Sequence, residues 1–149
     1  MNIVIVTEAF FPLVNGVSRT LHELTLYLRE QGDTVTVFMP RYKGGNGVAD
    51  QAPWLQKVTF PSVPLPVYPE VKMPLTSPAR LRRRFSQIRP DVVHVATEGL
   101  LGFSAIKAAE SLGVPIITSY HTSLSHYASL YTTPFVTRYV WRYLRRFHH

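Results

Sequence analysis

The first forty residues alternate between two hydrophobic patterns, and this alternation restricts the fold more than any other feature of the sequence. Residues 3–6 form a short β-branched run, which is typical of a strand buried on both faces. After a loop over residues 7–16, apolar residues recur at helical spacing from Val17 until Gly32, a residue type that commonly follows a helix. A second buried strand is predicted at 35–39. The order strand, helix, strand predicts a βαβ unit with a right-handed crossover and a parallel sheet.

The remainder of the chain repeats this alternation. Its hydrophobic spacing predicts, in order, a helix at 78–89, a strand at 92–95, a helix at 100–112, a strand at 114–118 and a last helix from about residue 134 to the end. Residues 41–77 are irregular, because prolines recur there and forbid a long helix, and one short strand is expected at 58–60. Strands and helices that alternate without a repeat or a linker predict one doubly wound α/β domain over residues 1–149, with a mostly parallel sheet.

The composition excludes several classes of protein. The 149 residues are 46% hydrophobic and 17% charged, as in a globular domain, and they include no cysteine, which removes disulfides, thiolate metal sites and cysteine nucleophiles. The N-terminal run has no basic segment and is interrupted at Thr7 and Glu8, so a signal peptide is not expected. No stretch approaches the ~18 apolar residues of a membrane span. We therefore expect a cytoplasmic protein.

The net charge of +7 is concentrated in clusters. The basic residues of these clusters are Arg80, Arg82, Arg83, Arg84 and Arg89 and, near the end of the chain, Arg138, Arg142, Arg145 and Arg146. Such clusters attract the phosphate of nucleic acid, anionic lipid or nucleotide, although a solvated helix face has the same appearance in sequence. The last predicted helix combines an apolar stripe with arginines, which suits docking on an anionic membrane as well as a core helix with a basic outer face.

In a doubly wound sheet, ligands bind outside the carboxyl ends of the strands, where loops are expected at 7–16, 96–99 and 119–131. The first loop ends in Asn15-Gly16 at the start of a helix. Free N–H groups and the positive end of the helix dipole favour an anion there, and a diphosphate is the natural one. Glycine permits close approach of a phosphate to the backbone, and the alternative is a simple helix cap. The fingerprints of dinucleotide sites, P-loops and hydrolase nucleophiles are absent from the sequence.

The other two loops carry polar side chains suited to a polyhydroxylated ligand. Glu98 can bind a sugar hydroxyl, act as a base or cap the helix that follows it. The third loop places Tyr120, His121 and Thr122 after a parallel strand, and we expect His121 in the active site. Zinc is not expected there, because the next histidine is five residues away and does not share a helix face. His94, inside an apolar strand, is interpreted as a core histidine.

Three stretches carry a resemblance to a known family. They are Met1-Asn2-Ile3-Val4-Ile5-Val6-Thr7-Glu8 with Pro12 and Asn15-Gly16-Val17, then Pro90-Asp91-Val92-Val93-His94-Val95, and then Gly113-Val114-Pro115 with Ser119-Tyr120-His121-Thr122. In order and spacing they look like the N-terminal domain of retaining glycosyltransferases of family 4, which have the GT-B fold. Within that family the resemblance is to enzymes that glycosylate lipids, namely phosphatidylinositol mannosyltransferases and sulfolipid or diacylglycerol glycosyltransferases.

The resemblance implies two Rossmann-like domains that face each other across a cleft, the first holding the acceptor and the second the nucleotide sugar. It places the backbone of Gly16 against the donor diphosphate. It places His121 beside the transferred sugar, where the imidazole positions hydroxyls and supports the developing positive charge. The predicted site residues are therefore Gly16 and Asn15 for the diphosphate, His121 for catalysis, and Glu98, Thr122 and Tyr120 for the sugar or the acceptor.

The resemblance also implies the partners. They are a UDP- or GDP-linked sugar and a lipid or glycan acceptor, with no metal ion. Nucleic acid is not expected, because the sequence contains no helix-turn-helix or stacking-aromatic pattern, and the basic last helix suits peripheral attachment to an anionic membrane at its inner face. The E-x7-E motif of the family's second domain is absent from the sequence. We therefore expect little or no transferase activity from this chain without the missing C-terminal donor-binding domain.

Two other functions fit part of the sequence. UDP-sugar 2-epimerases share the two-domain architecture, but their proton abstraction requires more carboxylates and histidines at the sheet edge than Glu98 supplies. A non-enzymatic module that binds an anionic membrane or another polyanion accounts for the arginine clusters, and it predicts binding that weakens strongly with salt.

Overall fold

The computed structural model describes residues 1–42, 52, 54–64, 72–119, 121, 142 and 145. Within this part of the chain, the helices and strands follow one another as β1 (Asn2–Val6), α1 (Gly16–Glu30), β2 (Thr34–Pro40), β3 (Gln56–Phe60), β4 (Ser62–Pro64), β5 (Lys72–Pro74), α2 (Pro78–Ile88), β6 (Val92–Val95), α3 (Leu100–Glu110) and β7 (Ile116–Thr118).

The main sheet is parallel and has the strand order β3-β2-β1-β6-β7. Its centre is β1, in which Ile5 pairs with Val37 of β2 on one side and with His94 of β6 on the other. The chain builds outwards from β1 to β2 and β3, and then returns to β6 and β7 on the opposite side of β1. The direction of winding therefore reverses between β1 and β6, which is the point where ligands bind in sheets of this kind.

Helices cover both faces of the sheet. Because successive strand residues point to opposite faces, Val4 and Val6 of β1 lie in the core formed with α2 and α3, whereas Ile3 and Ile5 lie in the core formed with α1. The apolar runs that predicted strands buried on both sides therefore have packing partners on each side. The doubly wound α/β fold with a mostly parallel sheet is confirmed.

Two details differ from the predicted elements. The predicted strand at 114–118 begins at Ile116, because the Val114 amide donates back to the carbonyl of Ala109 at the end of α3 and Pro115 has no N–H to donate. The antiparallel pair β4–β5 lies within the segment predicted to be irregular. The last predicted helix falls outside the described residues except for two arginines, which are helical and exposed: Arg142 and Arg145.

Within the described ranges, no helix is both long enough and apolar enough to cross a membrane.

Candidate functional site

The two loops that leave β1 and β6 meet at the reversal point of the sheet. Beyond the last paired residues, the Thr7 amide donates to the carbonyl of Phe38 at 3.0 Å, and the Ala96 amide donates to the carbonyl of Val6 at 2.9 Å. These bonds extend the strand ladder into both loops. The loop over residues 7–15 then leads to α1, and the loop over 96–99 leads to α3.

Glu8 joins these two loops. Its side chain is buried, with 8% of the residue exposed, and its carboxylate accepts a hydrogen bond at 2.9 Å from the amide of Leu101 in the first turn of α3. Thr97 Oγ1 donates to the other carboxylate oxygen and accepts from the Glu8 amide. A Cβ at Gly99 would overlap this carboxylate, so a larger residue there would have to displace it. Glu8 therefore caps α3 from the loop that follows β1.

The environment of Glu8 affects two titrating groups. Burial raises the pKa of the Glu8 carboxyl, and hydrogen bonds from Thr97 and from the amides of Leu101 and Gly102 act in the opposite direction. The Glu8 carbonyl accepts a hydrogen bond of 2.8 Å from the phenol of Tyr42, which follows β2. Burial, together with the nearby Glu8 charge, raises the pKa of Tyr42 to about 12. Glu8 thus contacts the segments that follow β2 and β6, through Tyr42 and Thr97.

Asn15 and Gly16 lie at the start of α1, as predicted, and they differ in their contacts. The Asn15 side chain accepts a hydrogen bond from the Ser18 amide at 2.8 Å, and Ser18 Oγ accepts one from the Asn15 amide at 2.9 Å, which is a capping box. The cap is therefore made by Asn15. Gly16 is exposed, and a Cβ added to it would have no atom within 4 Å from the rest of the described chain, apart from its neighbours and its own helix backbone. Packing inside this chain does not require glycine at position 16, whereas close approach of an external group would.

Glu98 is buried in the second loop, with 6% of the residue exposed. Capping of α3 is one of its three predicted roles, but the Leu101 amide donates to Glu8 instead. The sequence does not predict this role of Glu8. The available signal was an acidic residue directly after a buried strand, beside the predicted reversal point.

His121 lies beyond β7 and is exposed. Its Nε2 is 2.8 Å from Ser119 Oγ, and the same oxygen is 2.8 Å from Nε2 of His94. His94 is half-buried and hydrogen-bonded, so it is satisfied as a core histidine would be, but its partner lies at the carboxyl end of the neighbouring strand. Burial lowers the pKa of His94, and the nearby charge of His121 lowers it further.

Two of the predicted site residues, Tyr120 and Thr122, lie outside the described residues, as does most of the third loop. Among the residues that the structure describes, no group of three or more histidines and carboxylates is arranged to hold a metal ion. The described candidates Asn15, Gly16, Glu98 and His121 all follow the carboxyl ends of parallel strands, at one edge of the sheet.

The sequence profile of Glycosyltransferase Family 4 matches residues 14–149. The chain is 35% identical to a GDP-mannose-dependent alpha-mannosyltransferase of Mycobacterium tuberculosis over 99% of its own length. It is 31% identical to a sulfoquinovosyl transferase of Arabidopsis thaliana over 82% of its length, and 31% identical to an alpha-monoglucosyldiacylglycerol synthase of Streptococcus pneumoniae over 85%. The matched segments make up 39%, 23% and 28% of these three relatives, respectively, so the chain spans well under half the length of each.

The cap of α3 predicts a loss of stability when the Glu8 carboxylate is removed. Glu8→Ala leaves the Leu101 amide and the Thr97 hydroxyl without their acceptor, and we expect the free energy of unfolding to fall by about 1–3 kcal/mol. Urea denaturation at about pH 4, near the ordinary pKa of a glutamate, measures this change. Glu110→Ala, at the exposed far end of α3, is the matched control and should change stability little.

The same residue predicts a pH dependence. Because burial raises the pKa of Glu8 above its ordinary value, the folded chain holds this proton more tightly than the unfolded chain. Its contribution to stability is complete below the unfolded pKa and is lost as pH rises through the folded pKa. Glu8→Gln should remove this fall in unfolding free energy, measured from about pH 4 to about pH 7, and an unchanged slope would contradict the burial argument.

Proposed function

The chain belongs to glycosyltransferase family 4, and we propose that it is the N-terminal, acceptor-side domain of a retaining enzyme that moves a hexosyl group from a nucleoside-diphosphate sugar to a lipid or glycan acceptor. The observation that carries this proposal is the placement of Gly16 and His121 beyond parallel strands at one edge of the sheet. The relatives support the class of substrate. Their names include GDP-mannose as a donor and a diacylglycerol glycolipid as a product.

The spacing of the strands supports a shared site for the diphosphate and the sugar. Gly16 follows the loop after β1, and His121 follows β7, with β6 between those strands. Neighbouring strands are about 4.8 Å apart, so β1 and β7 are separated by about 10 Å. This separation suits a sugar joined to a diphosphate, with the diphosphate at the start of α1 and the sugar beside the imidazole.

The start of α1 supplies the charge that a leaving diphosphate requires. The first turn contains no acidic residue, and the Asn15 side chain is engaged with Ser18, so the positive end of the helix dipole faces outward beside Gly16. We assign neutralisation of the diphosphate to this helix end and to basic side chains, and no metal ion enters the proposed mechanism.

His121 is the residue that we propose acts on the sugar. The exposed imidazole of His121 can hydrogen-bond a sugar hydroxyl and support the positive charge that develops as the bond to the diphosphate breaks. We keep Tyr120, Thr122 and Glu98 as the proposed contacts to the sugar or the acceptor. The remaining donor contacts are proposed to come from a C-terminal domain beyond this chain.

A hybrid enzyme tests the function directly. The chain replaces the aligned segment of the M. tuberculosis relative, and transfer from GDP-mannose and UDP-glucose to lipid acceptors is measured. We expect the hybrid to form a glycolipid with retained anomeric configuration, and the 149-residue chain alone to form little or none. His121→Ala should lower kcat/KM by about 100-fold or more, because it removes stabilisation of the transition-state charge.

Matched measurements separate this function from its alternatives. Glu30→Ala, exposed at the far end of α1, should leave the rate unchanged. A hybrid that binds GDP-mannose but transfers nothing, or that transfers equally well without the imidazole, would contradict the proposal. Conversion of a UDP-sugar to its 2-epimer without an acceptor would support the epimerase alternative.

Substitution of Gly16 is expected to preserve or raise the stability of the chain and to weaken donor binding by the hybrid. Gly16→Ala adds a methyl group to open space in the first turn of α1, so the unfolding free energy of the chain should rise by about 0.4–1 kcal/mol or stay unchanged. The same methyl obstructs approach of the diphosphate, and loss of one charge-assisted hydrogen bond should raise the donor KM of the hybrid by about 10-fold or more.

Gly32→Ala is the control for this prediction. Gly32 lies beyond the other end of α1 with a φ of +82°, so alanine there should reduce stability and leave the donor KM unchanged. Equal donor KM values for Gly16→Ala and wild type would remove Gly16 from the diphosphate site.

We further propose that α2 docks on an anionic membrane surface at the cytoplasmic face. Its apolar residues Leu81 and Phe85 are buried, and Arg82, Arg83 and Arg84 are exposed. Residues 77–90 contain no acid, so the charged side chains of α2 are all basic. Each arginine near an anionic surface contributes about 1 kcal/mol.

Vesicle sedimentation tests the α2 face. Phosphatidylcholine mixed with phosphatidylglycerol should bind the chain, and phosphatidylcholine alone should not. Arg82→Gln with Arg83→Gln should weaken binding roughly 30-fold. Arg19→Gln with Arg41→Gln removes the same charge from exposed sites outside α2, and equal weakening by both pairs would exclude a specific α2 surface.

A further inference from the structure

Three polar side chains form a line at the carboxyl ends of β6 and β7. His94 Nε2 and His121 Nε2 each lie 2.8 Å from Ser119 Oγ, so a single hydroxyl connects the two imidazoles. His94 and Ser119 are half-buried, and His121 is exposed. The line therefore runs from the interior of the sheet to the edge where the candidate site lies.

The backbone fixes the middle of this line. Val95 pairs with Thr118 in the β6–β7 ladder, and the Ser119 amide donates to the Val95 carbonyl at 3.1 Å, one step beyond the last pair. Ser119 is thus held by the sheet, and its hydroxyl is held on both sides by histidines. His121, two residues beyond Ser119, is anchored to the sheet through this hydroxyl.

We propose that Ser119 and His94 are positioning residues for His121, which hold its ring through Nε2 and leave Nδ1 as the nitrogen that meets the substrate. The part that concerns sugar transfer rests on the proposed function. The positioning itself is a property of this chain and is measurable without a donor or an acceptor.

The chemistry of the hydroxyl couples the two rings. A serine hydroxyl carries one proton, so in this line it donates to one neutral imidazole and accepts an N–H from the other. When Nε2 of His121 carries the ring proton and donates it, the hydroxyl must accept, and the hydroxyl proton must point to Nε2 of His94. His94 can accept that proton only while it is neutral. Burial favours this state, since it lowers the pKa of His94.

A direct spectroscopic test uses the full 149-residue chain with ¹⁵N-labelled histidine. Two-bond ¹H–¹⁵N correlation spectra distinguish Nδ1–H from Nε2–H tautomers, and His121→Gln assigns the His121 signals. We expect the His121 tautomer ratio of the wild-type chain to differ from that of a free imidazole, and to shift towards the free ratio in Ser119→Ala. Ser119→Thr, which keeps a hydroxyl, should restore the wild-type pattern.

Two further variants separate positioning from general packing. His94→Phe should also shift the His121 tautomer mixture, because the hydroxyl then lacks its second partner. Ser86→Ala removes a serine hydroxyl from the exposed side of α2 and should leave the His121 signals unchanged. The proposal is wrong if His121 gives the same tautomer pattern in wild type, Ser119→Ala and His94→Phe.

The hybrid enzyme then tests the consequence for transfer. Ser119→Ala should lower kcat by about 5- to 10-fold with an unchanged donor KM, because the imidazole is misplaced for the reaction and the diphosphate contacts are kept. Ser119→Thr should recover the rate. A tautomer shift in the isolated chain, combined with a hybrid that binds donor but transfers nothing, would uphold the positioning and reject the proposed function. A tautomer shift with a wild-type kcat in Ser119→Ala would reject the role in transfer.

Discussion

The buried Glu8 carboxylate at the N-terminus of α3 is the interaction on which the geometry of the sheet edge depends. The loops after β1 and β6 are far apart in sequence, and Glu8 joins them through Thr97 and the Leu101 amide. An ionised carboxylate loses solvation when it is buried, and donors that converge on Glu8 offset part of this cost. Gly99 completes the arrangement, because any larger residue would occupy the space of the carboxylate. The loops after β1 and β6 are therefore joined to each other by contacts within the chain.

Most of the fold could be predicted from the sequence because the evidence for it is local. The run at 3–6, the helical spacing after Val17 and the helix start at Asn15-Gly16 are each defined within a few residues, and they determine the order of strands and helices. The cap made by Glu8 could not be predicted in this way. It depends on the parallel pairing of β1 with β6, which brings two distant loops together, and hydrophobic periodicity contains no information about such contacts.

The contacts of His94 also could not be predicted from the sequence, although its strand was predicted correctly. An apolar strand with a single histidine indicates a core position, and the residue is indeed half-buried. Its partner is set by register, because β6 pairs His94 with Ile117 and thereby places its ring within reach of Ser119. His121 is predicted from its loop and from the family resemblance. Its contact with Ser119, and through Ser119 with His94, follows only from the pairing of β6 with β7.

The N-termini of α1 and α3, which lie beside the reversal point, have caps of different charge. This difference favours binding of an external anion at α1. Both present free amides and the positive end of a dipole at the same sheet edge. At α3 an internal carboxylate, Glu8, occupies this position. At α1 the cap is the neutral Asn15, and neither the first turn nor the space around Gly16 contains an acid of the described chain. The positive end of the α3 dipole is therefore already paired with the Glu8 carboxylate, whereas the positive end of the α1 dipole is available to an external anion. This contrast supports the proposed diphosphate site at Gly16, because the negative charge that would grow as the proposed bond to the sugar breaks would lie at a positive helix end.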